Sequence, residues 1–199
     1  DLMYDYFTYY NSNWFNNGGI QSMYSFGSIE KAESYLTIIN NLPKYLIYPE
    51  LKDDKGRSLL VTHAPSSTMI ELYLNTLNED VTIKNTKEIL KLEEKMMWNR
   101  VIPQLGSDKY FNIFGHNILG NWTNIENLEF LHKQGFELSN TIGLVENINE
   151  NKVIINKELG YSAIDTGAFV KHYEPSSFYG RLTAISFPEL EVIQQDRIE

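Results

Sequence analysis

The stretch SLLVTHAP, residues 58–65, decides how this chain is read. Leu59, Leu60 and Val61 form an apolar run of the kind that enters a core as a strand. The run then ends on a threonine, a histidine, an alanine and a proline. Histidine titrates near neutral pH and is the commonest metal ligand. Its place at the end of an apolar strand therefore bears on both fold and chemistry.

Two other stretches share the arrangement. KYFNIFGHN (109–117) ends an apolar run on His116, and SAIDTGA (162–168) ends one on Asp165. In α/β folds ligands sit at the carboxyl ends of strands, where loops converge on a rigid sheet. Around these stretches, YLIYPEL (45–51) and SLLVTH flank the turn signal DDKG, which predicts a β-hairpin over 45–63. A helix follows, with Ile70, Tyr73 and Leu74 opening its apolar face. A second helix is expected at NTKE (85–88), where Asn85 and Glu88 have capping-box spacing and Ile89, Leu92 and Met96 share a face.

Toward the amino end, residues 2–16 read as an aromatic-rich helix stopped at Gly18-Gly19, IQSMYSFG (20–27) as a strand, and SIEKAESYLTIINNLP (28–43) as a helix with Ser28 as N-cap and Pro43 as stop. Toward the carboxyl end, Thr123 and Glu126 suggest another capping box ahead of NIENLEFLHKQG. Strands are then expected at GLVENI, KVIIN, YSAIDTG, RLTAISF and ELEVI. No internal repeat or linker interrupts the 199 residues, which fit one domain able to bury a substantial core. The class is α/β or α+β, built around a sheet.

Composition excludes several functions. With 17 Lys and Arg against 26 Asp and Glu, the formal charge is −9, and a general nucleic-acid binder needs a basic face. There is no cysteine, which removes disulfides, thiolate zinc sites and cysteine nucleophiles. No apolar run approaches membrane-spanning length and no signal peptide opens the chain, so neither membrane nor nucleic acid is an expected partner and the expected setting is cytoplasmic. No P-loop, GxGxxG, HExxH or GxSxG motif occurs.

Neutral imidazole binds zinc, manganese or iron, and a strand end fixes the ring direction that coordination requires. On the residues alone, however, a hydrogen-bonded core histidine and a metal ligand both remain open for His63 and His116. His132 falls on a helix among charged neighbours and His172 in a loop. Arg100, in MMWNR, is a natural fork for a phosphate, but also suits the dipole at a helix end. Arg57 and Arg181 read as structural. Asp165 reads either as a metal ligand or as a turn residue capping its own backbone.

The order of NWFNNGG, LLVTHAP, MWNR, FGHN, AIDTGA and GRLTAISFPELEV resembles the calcineurin-like metallophosphoesterases. The nearest branch is that of bacterial and phage serine/threonine protein phosphatases, with diadenosine-tetraphosphate hydrolases close by. The resemblance implies an α/β sandwich of two mixed β-sheets flanked by helices, and two divalent metal ions at strand ends: manganese, with iron or zinc as alternatives. It implies that His63 and His116 are ligands of one metal, that Arg100 is catalytic and binds the substrate phosphate together with Asn117, and that Asp165 is structural or supports the ligands from behind. The substrate would be a phosphoprotein or a small phosphoester, attacked in line by metal-activated water.

The chain departs from the family in lacking its Asp-x-His, Gly-Asp and Gly-Asn-His motifs. Residues 1–199 are therefore expected to be the carboxyl-terminal portion of a single, N-terminally truncated metallophosphoesterase domain, inactive alone though part of an active parent. A dinucleoside polyphosphate hydrolase and a non-catalytic binding module are the alternatives. Asn117 stands where the family usually has threonine, and KHYEPSSFY separates DTGA from GRL.

Overall fold

The computed structural model describes residues 2–10, 12–15, 19–78, 83–99, 106–116, 153–165 and 181–196. They divide into two compact units, Asp1–Pro43 and Lys44–Glu199. The first contains helices α1 (Leu2–Tyr9), α2 (Ile20–Phe26), α3 (Ile29–Ser34) and α4 (Leu36–Asn40). They enclose Met3, Trp14 and Ala32, with Tyr6, Phe7 and Phe15 packed alongside. Tyr6 meets Phe15 edge-on, ring centroids 4.5 Å apart, a geometry that satisfies the ring quadrupoles.

Three expectations are corrected in this unit. The helix expected over 2–16 ends at Tyr9, because Tyr10 takes a left-handed backbone at φ 56°. IQSMYSFG is a helix, not a strand: Met23 and Phe26, three residues apart, pack against the same cluster, and only helical periodicity puts both on one face. Gly27 ends it in the left-handed conformation, at φ 83°, returning its N–H to the Met23 carbonyl. The single helix expected over 28–43 is two short ones, which meet at Tyr35. Ser28 does cap the first, its hydroxyl accepting the Lys31 N–H at 3.2 Å.

The second unit carries a mixed five-stranded sheet in the order β1-β2-β3-β5-β4. Strands β1 (Tyr45–Lys52) and β2 (Ser58–Thr62) form the expected hairpin. Helices α5 (Ser67–Leu77) and α6 (Ile83–Trp98) carry the chain over to β3 (Tyr110–Phe114), which pairs parallel to β2. Two antiparallel strands can share a tight turn, but a parallel pair needs such a crossover. Beyond it, β4 (Ile154–Asn156) and β5 (Tyr161–Ala163) form a second hairpin, with β5 parallel to β3. A separate two-stranded sheet joins β6 (Arg181–Ile185) to β7 (Val192–Asp196). Helix α6 begins at Ile83, so Asn85 lies inside it and the proposed capping box does not start the helix.

Both faces of the central strands are covered, which explains why they read as unbroken apolar runs. Leu60 packs against Ile70, Tyr73, Leu92 and Met96 of α5 and α6. On the opposite face, Leu59, Phe111 and Ile113 cluster with Leu190, Ile185 and Phe187. Each such apolar side chain contributes about 1.5–3 kcal/mol when fully buried. Edge strand β1 is more exposed and tolerates Pro49, which has no N–H to give a ladder. The fold is thus mixed α/β, a five-stranded sheet with helices on one face and residues of a small second sheet against the other. GLVENI, NIENLEFLHKQG with its capping box, His132 and His172 lie outside the described residues.

Candidate functional site

Strands β2, β3 and β5 are neighbours and run parallel, so their carboxyl ends lie side by side. These are the three ends that the sequence marks with His63, His116 and Asp165. The ladder continues past the strands: the Gly115 N–H donates to the His63 carbonyl at 3.0 Å, and the Ile164 N–H to the Phe114 carbonyl at 3.0 Å. A side chain at Gly115 would stand 3.8 Å from the Asp165 Cβ and 3.9 Å from the His63 carbonyl oxygen, so all three ends meet there.

The two imidazoles face each other with ring centroids 4.6 Å apart, tilted by 57°. His116 occupies the left-handed backbone region at φ 72°, a conformation that costs a non-glycine residue about 1–2 kcal/mol. Such strain persists only where surrounding structure enforces it, and it concentrates at functional sites. Trp98, from the last turn of α6, packs against His116, its ring meeting the imidazole edge-on at 5.7 Å and 80°. The Nε2 atom of His116 is buried.

Solvent reaches His63, yet the protein around it is dense enough to disfavour a charged ring. Burial lowers its pKa below the ordinary 6.5, and the nearby Asp165 carboxylate opposes the shift. The result favours a neutral imidazole at pH 7, the form with a lone pair to give.

The turn after β2 is held at nearly every polar group. Thr62 donates its hydroxyl to the Ala64 carbonyl at 2.7 Å, and Ser66 donates to the same carbonyl at 2.8 Å. Asn99, at the end of α6, donates its amide to the Pro65 carbonyl at 2.8 Å. Asn112, fully buried within β3, receives the Ser66 N–H at 2.9 Å and donates to Thr62 Oγ1 at 2.8 Å. None of these four was singled out by sequence reasoning. The available signal was the lone asparagine inside the apolar run of FNIF, since a buried polar side chain in a strand must find partners.

As a metal centre, the site is a partial fit. Two adjacent imidazoles, with a carboxylate close enough to act on one of them, are ligand types that suit a divalent transition metal. Yet no group of three or more His, Asp or Glu able to hold a metal occurs among the described residues. Any ion bound by the pair would need further ligands from elsewhere. Arg100 and Asn117 lie outside the described residues, although Arg100 follows directly on Asn99 in sequence. No helix among the described residues is long and apolar enough to cross a membrane. No protein-family model, curated protein or solved structure matches this chain.

Proposed function

We propose that the carboxyl ends of β2, β3 and β5 form part of the active site of a metal-dependent phosphoester hydrolase of calcineurin-like type, acting on phosphoserine or phosphothreonine in proteins or on a small phosphoester. The observation that carries the reading is the pairing of His63 and His116, with rings 4.6 Å apart, at adjacent parallel strand ends. The order of motifs along the chain supports it independently, and the mixed sheet with helices on one face and residues of a second sheet against the other is compatible with it.

In this reading His63 and His116 hold one divalent metal, manganese in the first instance, through neutral ring nitrogens. Burial favours the deprotonated form of His63 for that role, and Trp98 packs edge-on against the His116 ring. Divalent metal in such a site supplies a nucleophile from water at neutral pH and offsets charge on phosphoryl oxygens. Arg100, through its planar fork, and Asn117 bind the phosphate, and the Asp165 carboxylate acts on His63 electrostatically. No covalent phosphoenzyme is required, consistent with a chain that has no cysteine.

A second reading, hydrolysis of nucleoside polyphosphates, draws on Trp98. Its ring is 43% exposed beside His116, a surface on which a nucleobase could stack. The test is a titration of the 199 residues with zinc, followed through the ring nitrogen resonances of His63 and His116. Both rings should shift together, and His63→Ala or His116→Ala should each remove the shift of the other. Unlinked responses, or unchanged metal binding in either variant, would sink the shared-metal reading. Binding of a dinucleoside polyphosphate, lost in Trp98→Ala, would select the second reading.

A further inference from the structure

We infer that Asn112 is a positioning residue for His63, acting through Thr62 and Ser66 to lock the turn that carries the imidazole. The inference rests on the proposed metal-binding role of His63 but makes a separate claim about how the ring is held. Asn112 lies at the middle of β3, in parallel register with Leu60 of β2. Its side chain is completely enclosed, so an unmade hydrogen bond there would be costly.

The side chain spans the turn. Its Oδ1 accepts the Ser66 N–H at 2.9 Å, at the turn's far end. Its Nδ2 donates to Thr62 Oγ1 at 2.8 Å, at the near end, and its remaining hydrogen faces the carbonyls of Leu60 at 3.3 Å and Ile113 at 3.4 Å. Accepting from Asn112 leaves the Thr62 hydroxyl free to aim its own hydrogen at the Ala64 carbonyl. One amide therefore holds both ends of the five-residue segment from Thr62, the last residue of β2, to Ser66 and, through Thr62, its middle.

An apolar residue at 112 would fill the same space and keep the sheet. It would leave the Ser66 N–H buried without that acceptor and free the Thr62 hydroxyl to rotate. The backbone around His63 would then lose its single conformation. A strand asparagine serving only the sheet would have no need to reach two residues of the next turn with opposite polarities.

The test uses the 199-residue chain, with zinc as probe and the His63 ring resonances as readout. Asn112→Leu and Thr62→Val should each weaken zinc binding at His63 by about tenfold or more, the usual cost of losing a group that orients a ligand. Thr62→Ser, which keeps the hydroxyl, should restore it to within about twofold of the unaltered chain. Arg57→Met, destabilising at the amino end of β2, where Arg57 bonds Asp53, Lys157 and Glu158, should leave the zinc affinity of the folded chain unchanged, which separates positioning from general loss of stability. Zinc binding as tight in both Asn112→Leu and Thr62→Val as in the unaltered chain would overturn the inference.

Should Asn112→Leu fail to fold, the Thr62→Val and Thr62→Ser pair decides alone. A measurement without metal separates this claim from the functional reading. Side-chain couplings of His63 should report one fixed χ1 in the unaltered chain and in Thr62→Ser, but averaging in Thr62→Val. If zinc never binds yet that pattern holds, the functional reading fails and the positioning claim stands. A fixed ring in Thr62→Val would overturn the positioning claim.

Discussion

The two ends of the parallel strands both carry buried polar side chains, and they use them in opposite ways. At the amino end, Arg57 and Asp53 form an ion pair with both side chains only 4% exposed. Arg57 Nε donates to Asp53 Oδ2 at 2.8 Å, and its other nitrogens reach the carbonyls of Glu158 at 3.0 Å and Lys157 at 2.6 Å. Asp53 Oδ1 also receives the N–H groups of Lys55 and Arg57. Donors and acceptors are matched, so this cluster joins the β1–β2 turn to the β4–β5 turn and leaves nothing to offer a ligand.

At the carboxyl end the matched hydrogen bonds lie beneath the site, in Asn112, Thr62 and Ser66, while the imidazoles stand above them. One imidazole is reachable by solvent and the other sits on strained backbone. The cluster at the amino end ties two turns together; the one at the carboxyl end supports a turn that carries a solvent-reachable imidazole. The contrast predicts that changes at the amino end alter stability, and changes at the carboxyl end alter chemistry.

The largest effect should come from Arg57→Met. It strands the Asp53 carboxylate in the interior, and breaking a buried pair from one side costs about 3–5 kcal/mol, readable in urea unfolding. A loss of under about 1 kcal/mol would mean that the pair is better hydrated than the geometry implies. Next is Gly160→Ala. Gly160 sits at φ 76°, and an added Cβ would lie 2.6 Å from Arg57 Cζ. Strain and displaced guanidinium together should cost about 2–3 kcal/mol. Stability unchanged by that methyl would show that the β4–β5 turn can move away from Arg57.

His116→Gly sharpens the comparison from the other side. Relief of left-handed strain is worth about 1–2 kcal/mol, against about 0.5–1 kcal/mol of added chain entropy in the unfolded state. The variant should unfold no earlier than the unaltered chain while losing the linked zinc response at His63. A clear drop in the unfolding midpoint would mean that His116 serves packing more than binding.

The smallest effect is in pH. Burial depresses the His63 pKa below 6.5, so below that value the unfolded chain binds more protons than the folded one. This contribution to stability is complete above pH 6.5 and is lost as pH falls through the folded value. His63→Ala should flatten the stability profile slightly in that window. Asp165→Asn should move the His63 titration to lower pH, because the carboxylate is what raises it. An upward move would mean that Asp165 acts on His63 by some route other than its charge.

Legibility in the sequence followed the range of the interaction concerned. Strands β2 and β3 were plain because faces covered on both sides leave continuous apolar runs, and α5 and α6 because their apolar residues recur at helical spacing. Helix α2 was misread because Ile20, Met23, Tyr24 and Phe26 suit a short strand as well as a helix, and only packing against Trp14 and Met3 decides between them. The start of α6 was misplaced because Asn85 and Glu88 match a cap that a helix already running from Ile83 does not need. Asn112 was passed over because one polar residue in an apolar strand carries no local sign of the turn it holds.

What the sequence determined by itself was therefore local: an acidic, cysteine-free chain, two apolar strands ending in histidine and one ending in aspartate. Only the tertiary structure decided that those ends are neighbours, that the rings of His63 and His116 lie 4.6 Å apart, and that His116 takes a left-handed backbone. Periodicity and turn chemistry depend on residues a few positions apart. Strand order and register depend on which distant segments can bury their faces together once the cost of closing the loops between them has been met.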